Sequence, residues 1–151
     1  MRRLGTAGLL LVVALGALSF GAAALAVGLG GAPRVATLTG AAEVPAADPD
    51  GTGFATIRLN TGQERVCWEL SVSNIAPATA AHIHVNPAGI AGPVVVPLSP
   101  PTSGSSSGCA TGLNPTLIQA IIDNPGGYYV NVHNVPFPAG AVRGQLAPRP
   151  E

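Results

Sequence analysis

The sequence predicts an all-β domain: an antiparallel Greek-key sandwich or barrel with one short helix, preceded by an N-terminal signal or anchor helix. Three observations carry this. Beyond Arg34, apolar residues recur at every second position in short segments, the period of a half-buried strand. Clusters of Gly, Pro, Asn and Asp, the residues that favour turns, separate those segments. One segment alone, Asn114 to Asp123, has helical spacing between a good start and a good stop signal.

The N-terminus stands apart from this pattern. Arg2 and Arg3 are followed by no charge until Arg34, and the apolar run from Leu9 to Val27 matches the ~20 residues a bilayer-crossing helix needs. The same stretch has the parts of a secretory signal: a basic start, an apolar centre, and small residues at Ala24-Leu25-Ala26 as a cleavage site. Either way the rest is exported, because the arginines stay on the cytoplasmic side. The expected organisation is a signal peptide or membrane anchor over 1–33, a domain over 34–147 and a tail over 148–151. The expected location is secreted or cell-surface, with membrane attachment if the segment is uncleaved.

Within the domain, "VATLTG" is a first strand and "AAEVPAADPDGTG" a loop. "FATIRLN" places Ala55, Ile57 and Leu59 on one face. "ERVCWELSVS" does the same with Val66, Trp68, Leu70 and Val72, and the turn "NTGQ" makes the two a hairpin. "AAHIHVN" and "PVVVPL" are the next strands. "SPPTSGSSSG" has nothing to bury and reads as a solvated loop. In "NPTLIQAIID", Asn114 suits the N-cap, Pro115 the first helical position, and Leu117, Ile118, Ile121 and Ile122 form an apolar stripe. After the stop "NPGG" come the strands "YYVNVHNV" and "AVRGQL".

Net charge is zero with no basic run, which argues against nucleic acid as a partner. There is no phosphate loop, nucleophile elbow, CxxC or HExxH motif. No catalytic or cofactor-binding residues are therefore assigned, and the chain reads as a binding or structural module for an extracellular or cell-surface ligand rather than an enzyme. The even cysteine count beyond an export segment favours a Cys67–Cys109 disulfide.

Alternation also places the three histidines. In "AAHIHVN", Ala81, Ile83 and Val85 share one face and His82, His84 and Asn86 the other. In "YYVNVHNV", Val130 and Val132 oppose Tyr129, Asn131 and His133. In "AVRGQL", Val142 and Leu146 oppose Arg143 and Gln145. The aliphatic face folds the domain, so all three histidines point away from the core, where replacing them should cost little. Three neutral imidazoles suit Zn²⁺ or Cu²⁺. The competing reading is a polar outer face that happens to hold histidines.

The segments "ATLTGAAEVP", "GTGFATIRLN", "VCWELSVSNI", "AAHIHVNPAGIAGPVVVPL" and "NPGGYYVNVHNVPFPAGAVRGQL" resemble the CHRD domain, named for its repeats in the animal protein chordin. The resemblance runs from Val35 to Leu146 and implies an all-β extracytoplasmic domain without an assigned biochemical role. A weaker resemblance is to copper–zinc superoxide dismutase, whose HxH strand, later "VxVH" strand and anion-guiding arginine are similar in order and type to His82, His84, His133 and Arg143. It implies a metal ligand set of His82, His84 and His133, with Arg143 attracting an anion. The fourth copper-ligating histidine and the zinc loop of that enzyme have no counterpart here, so efficient dismutation is not implied.

Overall fold

The computed structural model describes residues 31–150; the predicted signal or anchor segment lies outside them. The strands are β1 (Ala32–Thr39), β2 (Thr52–Asn60), β3 (Arg65–Ser73), β4 (Ala78–Val85), β5 (Val94–Leu98), β6 (Ser105–Ala110), β7 (Tyr128–Asn134), β8 (Val142–Gln145) and β9 (Ala147–Pro148). One helix, α1 (Pro115–Asp123), falls between β6 and β7. All pairings are antiparallel, in the order β5-β4-β7-β8-β1-β2-β3-β6, with β9 added beside β1. The end strands β5 and β6 approach each other, which leaves a nearly closed barrel. Around the wall the sequence β3-β6-β5-β4 is the Greek-key order.

Alternation dictates what fills the barrel. Leu38, Ile57, Val66, Ile83, Val96, Val130, Val132 and Val142 are fully buried, and all but Val96 come from strands whose other face carries polar residues. Helix α1 adds Ile118 and Ile121. The Asn114 side chain accepts from Thr116 N–H at 2.8 Å, and Pro115 occupies the first turn, as the sequence predicts. At the other end the Arg34 guanidinium donates to the Ile122 carbonyl at 2.6 Å, a cation where the helix dipole is negative.

One expectation is overturned. Part of "SPPTSGSSSG" is not a solvated loop: Ser105–Ala110 form β6, in register with β3 from Ser71↔Ser105 to Val66↔Ala110. A strand at the end of the sheet needs backbone partners more than apolar side chains, and β3 supplies them. The expected disulfide is present between Cys67 and Cys109, which face each other across this pairing. The domain's last pairing, at Pro148, reaches the first residue of the expected tail.

The disulfide closes a loop over a sequence separation of 42 residues. In the chain-entropy model its removal costs about 4 kcal/mol. Replacing both cysteines with serine should lower stability by that order in urea unfolding; an unchanged midpoint would show that β6 is held by its ladder alone.

Candidate metal centre

The site is built on one face of three neighbouring strands. β7 lies between β4 and β8, with His82 opposite Asn131, His84 opposite Tyr129, and Ala80 opposite His133. On its other side Asn131 faces Arg143 and Tyr129 faces Gln145. Because Ile83, Val130 and Val132 are wholly buried in the barrel, the residues between them project from the opposite face. The alternation in the sequence therefore predicts the correct side, and the three histidines it singles out come together. One ring nitrogen from each lies within 4.8 Å of the others, and this is the only such cluster among the described residues.

The expectation that this face is open surface is corrected. His84 is 8% exposed, and Tyr129, Asn131 and Arg143 are each 2% exposed. The segments that bond to or crowd this face are Gly40–Asp48, Pro87–Gly92 and Phe137–Gly140. The result is a second, polar core outside the barrel. Replacing His84 therefore removes buried contacts and is not a neutral surface change.

Hydrogen bonds fix the imidazoles. A carbonyl can only accept, so His133 donates from Nδ1 to Pro138 at 3.0 Å, and His84 donates from Nδ1 to Gly92 at 2.7 Å. Each neutral ring then carries its lone pair on Nε2. His133 Nε2 sits 3.1 Å from His82 Nδ1. His84 Nε2 is buried and has no hydrogen-bond partner. Burial, and then the neighbouring His133 and His84, hold the His82 pKa below the ordinary histidine value. Burial likewise lowers His133, against the opposing effect of its bond to Pro138. Both therefore stay neutral at pH 7, the form that ligates metal.

The same polar core holds the Arg143 guanidinium and the Glu43 carboxyl. Burial raises the Glu43 pKa to about 7, despite the opposing Arg143 charge, the Val44 backbone N–H and the Asn131 amide. Glu43 Oε1 and Asn131 Oδ1 are both buried acceptors without a donor. A Cβ at residue 140 would collide with the carboxylate, so only glycine fits there, with φ 141°. The Arg143 guanidinium donates to the Pro87 carbonyl at 2.9 Å and to Gln145 at 3.1 Å, and its Cζ lies 3.4 Å above the Tyr129 ring. On the sequence alone Glu43 has an unnamed arginine partner, and Tyr129 has two equal roles, flanking the histidines or packing at an edge. In the structure the Arg143 charge acts on the Glu43 carboxyl through space, and Tyr129 stacks on His84, ring centroids 4.9 Å apart and 7° from parallel. Two clefts of about 400 and 600 Å³ lie elsewhere, over β2, β3 and β6, and hold no histidine.

These features define a Greek-key β-barrel that carries a three-histidine cluster under a loop-covered polar face. A family model, the CHRD domain, matches residues 34–146, most of the chain, and the protein belongs to that family. No curated protein and no solved structure matches the chain.

The Glu43 carboxyl makes a pH prediction. Its folded pKa of about 7 exceeds the ordinary carboxyl value of 4.5, so the folded state holds the proton more tightly. Its contribution is present below pH 4.5 and is lost as pH rises through about 7. The loss is on the order of 3 kcal/mol. His82 and His133, with lowered values, act oppositely: stability is lost as pH falls below about 6.5. Urea unfolding from pH 5 to 8 should therefore show a Glu43-dependent decline that Glu43→Gln abolishes. Identical slopes in the two proteins would refute the assignment.

Proposed function

We propose that this CHRD domain is an extracytoplasmic metal-binding module in which His82, His84 and His133 hold one copper or zinc ion. The observation that carries this is the buried, unpartnered Nε2 of His84 beside two neutral imidazoles. A buried acceptor left empty costs about 1–3 kcal/mol, and a metal ion would use its lone pair. Two of the three rings are oriented by backbone carbonyls, the outer-shell arrangement that fixes the tautomer of metal-ligating histidines. A nitrogen-only ligand set binds Cu²⁺ more tightly than Zn²⁺. Three protein ligands leave a further coordination position for water or an exogenous ligand. Export fits the disulfide, which persists in oxidising compartments. Arg143 has no place in this reading as an anion guide, since it is 2% exposed and bonded to the Pro87 carbonyl and Gln145.

Isothermal titration of untagged protein should find one Zn²⁺ or Cu²⁺ per chain. Because His82 and His133 titrate below 6.5, affinity should hold from pH 8 to about 6.5 and fall as they protonate. Replacing all three histidines with glutamine should abolish binding, with circular dichroism confirming that the barrel persists. Stoichiometric binding by a folded triple variant would end the metal reading and leave the domain a binding or structural module of another kind.

A further inference from the structure

Resting on that three-histidine reading, we infer that Tyr129 is the positioning residue of the metal centre, acting on the ion through His84 without touching it. The two residues stand opposite each other in the β4–β7 register. Their rings stack in parallel, and three contacts close a circuit. The Tyr129 hydroxyl accepts from Gly92 N–H at 3.0 Å. The Gly92 carbonyl accepts from His84 Nδ1–H at 2.7 Å. The His84 ring returns to the face of Tyr129. The stack sets the plane of the imidazole, and the carbonyl sets which nitrogen carries the proton. A half-turn of the ring would put a carbon against the Gly92 carbonyl and forfeit that bond.

Each member of the circuit is itself held. Gly92 packs so closely on the Val85 carbonyl that a Cβ there would overlap it, so the carbonyl reaches His84 only because residue 92 is glycine. Tyr129 is backed by the Arg143 guanidinium. Arg143 projects from β8, while His84 projects from β4 on the other side of β7, so the tyrosine ring lies between imidazole and guanidinium. A cation over an aromatic face is attractive and resists tilting of the ring.

Neither of the other two rings is stacked in this way: His133 is held by its bond to Pro138 and His82 by its contact with His133 Nε2. His82 and His133 meet edge-on, centroids 5.0 Å apart and 65° between planes, and both are only half-buried. The three donor atoms spread over as much as 4.8 Å, whereas bonds near 2.05 Å give about 3.3 Å between ligand nitrogens in a tetrahedral site. Loading therefore contracts the cluster, with His82 and His133 moving toward a fixed His84 Nε2.

The test is a double-mutant cycle on the full chain. Tyr129→Leu and Tyr129→Phe are each made in the parent and in a His84→Gln background, and Zn²⁺ affinity is measured by titration. Tyr129→Leu should weaken binding about 10–100-fold in the parent, the usual cost of losing an outer-shell partner, and should add no further loss once His84 is gone. Tyr129→Phe keeps the stack and loses the hydroxyl bond, for about a fivefold loss. With Cu²⁺, the electron paramagnetic resonance spectrum of Tyr129→Leu should lose one nitrogen coupling. In metal-free parent protein, ¹⁵N chemical shifts of His84 should show a single Nδ1–H tautomer, and in Tyr129→Leu an average of the two. Equal weakening in both backgrounds would mean a general structural role and overturn the inference, as would parent-like binding by folded Tyr129→Leu. Should Tyr129→Leu lose its β-sheet circular dichroism, unchanged affinity in Tyr129→Phe overturns the circuit. If the parent binds neither metal, the proposed function fails. The metal-free tautomer still judges the clamp, since an averaged His84 in the parent overturns it.

Discussion

A guanidinium at 2% exposure must find its partners inside the protein, and the outer face is arranged around that requirement at Arg143. A buried cation without compensation is far more costly than any single contact in the barrel. Its partners come from separate parts of the chain: the Pro87 carbonyl after β4, Gln145 two residues along β8, the Tyr129 ring on β7, and the Glu43 carboxyl acting through space from the segment after β1. The two amide hydrogens of Gln145 are in turn shared among the carbonyls of Asn86, Gly126 and Tyr128. Loops that share no strand with one another are thereby drawn over one patch of sheet. The barrel needs none of this for its apolar burial, which alternation on the inner face already provides.

The histidine cluster benefits from this arrangement. Loops pulled down near Arg143 bring Gly92 within reach of His84, and the β7–β8 connection brings Pro138 within reach of His133. Those carbonyls convert flexible imidazoles into oriented ones. Partial burial also keeps His82 and His133 uncharged. In an open strand face the same residues would titrate near pH 6.5 and rotate freely. The polar core is thus the physical difference between three histidines on one side of a sheet and three imidazoles held with a nitrogen of each within 4.8 Å of the others.

What was legible in the sequence follows from which interactions are local. Period two assigns His82, His84 and His133 to one face because alternation is a property of each strand by itself. It says nothing about what covers that face. The cover comes from residues far off in the chain, so the burial of His84, Asn131 and Arg143 has no sequence signature. Glu43 shows the same limit: a carboxylate in a Pro-rich loop suggests a partner without naming Arg143. The β6 strand escapes for a different reason. "SSSGCA" carries no apolar alternation, because its pairing with β3 rests on backbone groups and the disulfide. Cys109 was the one signal available: a bridge to Cys67 obliges the residues around it to lie beside β3. The CHRD likeness spans both cores but does not distinguish them.

The distribution of unmet polar groups separates a structural role for the outer core from a binding role. Of the five buried side-chain atoms without a hydrogen-bond partner among the described residues, three lie here: His84 Nε2, Glu43 Oε1 and Asn131 Oδ1. A network that served only to fasten loops would gain from pairing these atoms, since each orphan costs about 1–3 kcal/mol and aliphatic replacements would avoid it. All three are acceptors. A buried carboxyl oxygen without a donor favours the protonated acid, consistent with a Glu43 pKa raised to about 7. An imidazole nitrogen next to two more imidazoles calls for a cation that accepts lone pairs. Under the proposed three-histidine reading a bound cation would satisfy His84 Nε2, the one orphan of the three that a proton on Glu43 does not concern.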